Sequence, residues 1–357
     1  MAISANKGEW SELYALLKIL GDGTIFSGNW KLEKQEKFYP VLKAIRDELS
    51  RQMEYVRERE IVLVLEDGDE VARVPVKEFL ENSQLLFKQI NCGHGAFEIP
   101  EMTDFLTKIK CQKIKAKSSD KSDIRLVIHD NHTGMNSEFG FSVKSFAGSA
   151  PTLLNASDAT KMQFSIDGEN LSNNFEETIN TIDGNAKLQK RIETICGNAK
   201  IKFERFLNKT FNNNLQMVDR DLPEILAKLL IDAYLQKDTS IANTVERLRK
   251  ENPLNFDLSE NHDFYGYKLK TFLSAIALGM LPATPWSGRF EATGGYIVVK
   301  EDGEIVCFHI FDKNLLEDYL FYNTRFETPS LSRYNCGKVF QDVDGKLKIN
   351  LALQIRF

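Results

Sequence analysis

The chain has 357 residues, of which 42% are hydrophobic and 27% charged, enough apolar content to fill one elaborated domain or two and too much for a disordered chain. Its net charge of −5, from 46 Lys and Arg against 51 Asp and Glu, speaks against a uniformly basic polyanion binder, so any nucleic-acid contact has to come from local charge. Five scattered cysteines exclude a zinc or disulfide framework, the N-terminus has no signal architecture, and no apolar run reaches the roughly 18 residues of a membrane span, so a cytoplasmic protein with no membrane partner is expected.

The first element is "KGEWSELYALLKILGDG", where Trp10, Leu13, Leu16, Leu17 and Leu20 recur at helical spacing and Gly21 supplies a stop. Glu9 lies on the apolar stripe of positions 9, 13, 16 and 20, whereas Glu12 falls nearer its polar edge. An inward carboxylate is either a functional group or a first-turn glutamate favoured by the helix dipole. "FYPVLKAIRDELSRQMEYV" predicts a second helix, and "REIVLVLEDGDEVARVPV" a hairpin turning at Asp67-Gly68. A further helix is expected over about residues 76–90. The segment "TKIKCQKIKAKSSDK" then places six lysines, Lys113, Lys115 and Lys117 among them, before its only acid, Asp120, apart from the closing Lys121. It is either a basic arm or a solvated lysine face.

"SDIRLVIHDNHTGMNSEFGFSVKS" reads as two strands and a turn. Side chains alternate, so Asp123, Arg125, Val127 and His129 share one face of the first strand, and Gly140, Ser142 and Lys144 one face of the second. A turn centred near Gly134 would set Lys144 opposite Arg125 and diagonal to Asp123. A carboxylate beside an ammonium suits metal-dependent phosphodiester hydrolysis, in which the acid holds a divalent cation and the amine positions or activates water. The plainer alternative is an edge hairpin showing polar residues to solvent.

Residues 161–167 add a strand, residues 171–280 read as helical, and strands return from Gly294 in "GGYIVVKEDGEIVCFHIF" and "KVFQDVDGKLKINLALQIRF", with "NLLEDYLFYN" as a short helix between them. The pattern therefore predicts an α/β core, a helical insert and a β-rich tail.

Asp123 followed by "SVK" at 142–144 resembles the PD-(D/E)xK nuclease signature, with Ser122-Asp123 in place of Pro-Asp and Ser142 in place of the second acid. Glu9 is the first substitute for that acid, since nucleases of this fold draw a glutamate from an N-terminal helix, and Asp158 in "PTLLNASDAT" is the second. Longer stretches, "NKGEWSELYALLKILGDG", "GFSVKSFAGSAPTLLNASDAT", "ATGGYIVVKEDGEIVCFHIFDK", "YNTRFETPSLSRY" and "LALQIRF", are similar to the HpaII-type restriction endonucleases over essentially the whole chain.

That resemblance implies a mixed central sheet flanked by helices. It assigns residues 1–170 to the nuclease core, 171–285 to a helical region, and 286–357 to a β-rich region for DNA recognition packed on the core. It also implies a type II restriction endonuclease that cuts both strands of DNA at a short sequence, CCGG, with Mg2+, leaving 5′-phosphate ends. A cognate DNA methyltransferase would be its functional partner, and the oligomeric state stays open between monomer and dimer. Asp123, Ser142, Lys144 and Glu9 are then the catalytic candidates, with Asp123 and Glu9 or Asp158 holding the metal. Arg289, Arg325 and Arg333 on loops are candidates for reading guanine, and Asn155 and Ser157 either touch DNA backbone or cap a turn. Ser142 keeps one competitor in view, a catalytically inactive DNA-binding protein with the nuclease fold.

Overall fold

Nine strands hydrogen-bond into one mixed sheet in a computed structural model that describes every residue except 1–2, 49–50, 115–121, 132, 170 and 173. Lys115 and Lys117 thus lie outside the described residues. The sheet runs Thr24–Gly28, Ile305–His309, Gly295–Val299, Asn136–Ser145, Ile124–His129, Lys34–Glu48, Arg51–Glu58, Ile61–Glu66 and Asp69–Pro75. Thr24–Gly28 also pairs with Lys34–Glu48, so the first six strands close into a ring and leave few edge groups unpaired. Pairing is parallel where Gly295–Val299 meets Asn136–Ser145 and where Ile305–His309 meets Thr24–Gly28.

The helix Lys7–Asp22 buries Trp10, Leu13, Leu16, Leu17 and Leu20 in one core with Ile124, Leu126, Phe141 and Val143. It ends at Gly23, whose φ of 71° is the left-handed cap conformation, and not at Gly21. Gly21 lies inside the helix, and its lack of a Cβ allows the close approach of the helix Val76–Cys92, since a Cβ there would sit 2.5 Å from Leu80 Cδ2.

The predicted second helix is instead the strands Lys34–Glu48 and Arg51–Glu58. A register shift between Val41 and Lys43 explains the misreading. Before it the buried positions are Tyr39 and Val41, and after it Ala44, Ile45 and Glu48, so the bulge breaks the period of two and leaves apolar spacings of three and four that imitate a helix. Pro40 agrees with the strand.

The structure divides into two compact units, Met1–Pro151 with Phe290–Tyr319, and Thr152–Arg289 with Leu320–Phe357. The β-rich tail expected as one region is therefore shared, its first hairpin completing the nine-stranded sheet of the first unit. In the second unit Lys161–Asp167 pairs with Lys200–Phe206 and Leu347–Ala352, and the latter with Val339–Gln341. Lys200–Phe206, read as part of a helical run, is a strand in which Ile201 and Phe203 alternate against Ile166 and Phe164, and a register shift then sets Phe206 against Met162. Helices Leu222–Gln236 and Phe264–Leu278 supply much of the remaining core.

Candidate active site

The turn of the central hairpin centres earlier than the sequence suggests. Ile124 pairs with Phe141, and Arg125 faces Gly140, so Lys144 lies beyond the paired stretch and not opposite Arg125. Asp123, just before the first strand, donates its N–H to the Phe141 carbonyl at 2.8 Å. Its Oδ2 accepts the Val143 N–H at 2.7 Å and the Ser142 hydroxyl at 3.1 Å. The carboxylate is thereby locked against the strand that carries the lysine, with buried Ser142 as the strut. Arg125, on the same face, is tied to Asp47 and Glu138 at 3.0 and 3.2 Å.

Lys144 extends over the ring of Tyr296, with Nζ 5.2 Å from its centroid. The parallel pairing sets Tyr296 beside Ser142 and Val298 beside Lys144. Burial lowers the Lys144 pKa below that of an ordinary lysine, and the carboxylates of Asp123 and then Glu12 oppose that shift without cancelling it. Tyr296 is buried beside the same Asp123 charge, both of which hold its hydroxyl protonated.

Glu9 is engaged in the cap of its own helix. Its Oε2 accepts the Asn6 N–H at 2.9 Å and its own N–H donates to Asn6 Oδ1 at 3.1 Å, the reciprocal box that caps the helix. Glu12, one turn further on, is the helix glutamate whose charge acts on Lys144, and its Oε2 is buried. The same charge reaches Arg46, which is ion-paired to Glu48 at 3.2 Å. Arg46 also donates to the carbonyls of Lys113 and Ile114 at 2.6 and 3.1 Å, fixing the start of the lysine-rich segment beside the site.

The remaining candidates lie in the second unit. Asp158 has a side chain 91% exposed and pairs with Lys161 at 2.6 Å. Ser157 caps the short turn at Asp158–Thr160, and Asn155 is exposed. Arg289 and Arg333 are exposed, Arg289 giving its carbonyl to Trp286 Nε1 and Arg333 lying over the Tyr334 ring at 5.5 Å. Arg325 donates to the carbonyl of Phe357.

Two residues that act on Lys144, Glu12 and Tyr296, escaped the sequence reading. Glu12 was discernible by elimination, because Asn6 followed three residues later by Glu9 is a capping-box signature that commits Glu9 elsewhere. Tyr296 carries no local signal, since it reaches Lys144 through a pairing between segments about 150 residues apart in sequence.

Asp123 and Glu12 are the two carboxylates whose charges act on Lys144, and so the candidate oxygen donors for a cation there. Hard oxygen donors of this number suit Mg2+, which takes one or two carboxylates and completes its shell with water and substrate phosphate. Among the described residues no cluster of three or more His, Cys, Asp or Glu forms a closed all-protein metal cage.

The family model described as HpaII restriction endonuclease matches residues 6–357. The chain is 43% identical to the type II restriction enzyme HpaII of Haemophilus parainfluenzae over 99% of its own length and 98% of that protein's. No solved structure matches it.

Proposed function

Since the chain belongs to the HpaII restriction endonuclease family, we propose that the Asp123–Lys144 corner is where it cuts DNA. The protein is a type II site-specific deoxyribonuclease acting on double-stranded DNA. No helix among the described residues is long and apolar enough to cross a membrane. We infer a PD-(D/E)xK core from the way a helix glutamate, a strand-entry aspartate and a lysine on the neighbouring strand converge. The proposed target is CCGG, cut to leave 5′-phosphates, with a cognate methyltransferase protecting host sites and cytoplasmic location as the setting.

Restriction endonucleases generally use divalent metal ions, and Mg2+ is the ion this donor set suits. Asp123 and Glu12 would hold it, and when bound it would supply charge against the scissile phosphate and acidify water. The chain's own groups do the rest. Ser142 and the Val143 amide keep Asp123 in one orientation, so no reorganisation is needed when substrate arrives. Lys144, whose desolvated ammonium gives up its proton more readily than a solvated lysine, orients the attacking water and exchanges a proton with it. Tyr296 keeps that amine from turning away. Arg289, Arg325 and Arg333, and the lysine arm beginning at Lys113, would contact DNA outside this corner.

The observation that carries the assignment is the Asp123 carboxylate locked to the Ser142–Val143 strand next to a desolvated Lys144. The test is cleavage of a defined plasmid with and without magnesium, with the ends sequenced, repeated for Lys144→Ala. Cuts at one short sequence that need the metal and vanish in the variant are expected. Undiminished cutting by Lys144→Ala would place the centre elsewhere, and specific binding without cutting under any divalent metal would mark a silent binder.

A further inference from the structure

The four-stranded sheet of the second unit has one apolar face and one polar face. Phe164, Phe203, Met162, Ile349 and Leu351 fill the apolar side. On the other side Gln163 stands directly opposite Arg205 on one neighbour and Asn350 on the other, so the three side chains project together. They are joined in a row: Arg205 Nη2 donates to Gln163 Oε1 at 3.3 Å, and Gln163 Nε2 to Asn350 Oδ1 at 3.4 Å.

The charges on this face fall into two groups. Lys161 and Lys348 are neutralised, by Asp158 at 2.6 Å and by Glu204 and Asp342 at 2.9 Å. Lys200, Lys202 and Arg205, all exposed on the edge strand, are in no ion pair among the described residues. Asp167 stands opposite Lys200, and Glu204, between Lys202 and Arg205, is committed to Lys348, so in a chain of net charge −5 the three cations leave a local positive excess along the strand. An amide steers the Arg205 guanidinium where a carboxylate would have cancelled its charge. Such a group keeps its full attraction for an acceptor pair while its direction is already set.

Resting on the nuclease reading above, we propose that this polar face is the enzyme's sequence-reading surface, with double-stranded DNA as its occupant. Arg205 makes the contact to guanine O6 and N7 in the major groove, which admits a β-ribbon and where those two acceptors match an arginine fork. Gln163 and Asn350 are positioning residues that aim the fork. Lys200 and Lys202 contact phosphate and carry no sequence information.

The experiment uses the full-length protein and a DNA panel made of the cleaved sequence and its single-base-pair variants, with kcat/KM measured on each. Arg205→Lys keeps the charge but loses the fork, and Gln163→Ala loosens it. Both are expected to lower the ratio of cognate to variant cleavage, by roughly ten- to a hundredfold for Arg205→Lys and by less for Gln163→Ala. Lys202→Ala is expected to weaken binding alike on every sequence and to reduce the slope of log affinity against log salt by about one. Unchanged discrimination in Arg205→Lys would overturn the proposal, as would an equal loss on all sequences. Wild-type protein that cuts no sequence would overturn the nuclease reading itself, and one that cuts every sequence alike its site specificity, so these failures are separable from that of the Arg205 proposal. Arg205 is exposed, and a thermal melt of each variant confirms that the fold is intact.

Discussion

Lys144 on the central hairpin and the stripe Lys200, Lys202 and Arg205 on the outer strand of the second unit are cations on sheets, set in opposite surroundings. Lys144 is desolvated among two carboxylates and an aromatic ring, and its proton is held less firmly than an ordinary lysine's. The stripe is exposed, in no ion pair among the described residues, and its arginine is steered by an amide. Desolvation makes a cation chemically responsive, whereas exposure with preset direction leaves its charge available for recognition. A restriction enzyme needs both, because cutting acts on one phosphate and specificity on the base edges.

The comparison breaks first if the buried corner is dispensable. Asp123→Asn keeps the shape of the side chain and removes the charge, and cleavage is expected to fall at least about a hundredfold in a metal-titrated plasmid assay. Affinity for uncut DNA should be nearly unchanged, since one phosphate among many is affected. Ser142→Ala, which removes only the strut on Asp123, should cost roughly ten- to a hundredfold in kcat, by the magnitude typical of groups that orient metal ligands.

Glu12 sharpens the contrast. Its carboxylate raises the Lys144 pKa against the lowering by burial, so Glu12→Gln should move the Lys144 titration to still lower pH. The shift of a labelled lysine ε-carbon reports this directly, and cleavage should drop with it. Glu9→Gln should leave that titration in place. It should lower stability by about 1 kcal/mol or less through its weakened cap, seen as a small change in denaturant midpoint. Equal effects from the two glutamates would mean that the helix places both at the site.

A second buried base of the first unit tests desolvation without catalysis. His309 is fully buried against Tyr39, Phe139, Phe141 and Phe311, and donates no charge to the site. Burial pushes its pKa down from 6.5 to about 4, with Asp312 and Asp130 opposing and Lys37 adding to the shift. The unfolded chain therefore binds this proton at higher pH than the folded one. The neutral-histidine fold keeps its full stability above about pH 6.5, and loses up to about 3 kcal/mol as pH falls toward 4. Urea midpoints at pH 7 and pH 4.5 should diverge in the wild type, and by less in His309→Phe.

Much of the hairpin was legible. Alternating apolar residues around a turn marked the strands at 124–129 and 136–145, and the "SVK" after Asp123 pointed to the proposed centre. Register was not legible, because the turn residues tolerate more than one centre, and a shift in pairing changes which side chain faces Asp123. The helix at 7–22 was read correctly from its stripe, yet the stripe reports only which side meets the core. Glu12 sits at the flank of that stripe, where a neighbouring strand end decides its use.

What the sequence determined by itself was local and periodic: the helices and strands with unbroken alternation, the absence of a metal-cysteine framework, and, through its long matching stretches, the family. What tertiary structure decided was everything that depends on pairing between distant segments. A bulge at Val41–Lys43 hid a strand inside a helical spacing, a parallel pairing brought Tyr296 under Lys144, and antiparallel pairings aligned Gln163 with Arg205 and Asn350. The physical reason is that periodicity records the solvent exposure of one element at a time. The charge state of Lys144 and the aim of Arg205 depend on groups about 20 to about 150 positions away in the chain, which only the folded chain brings together.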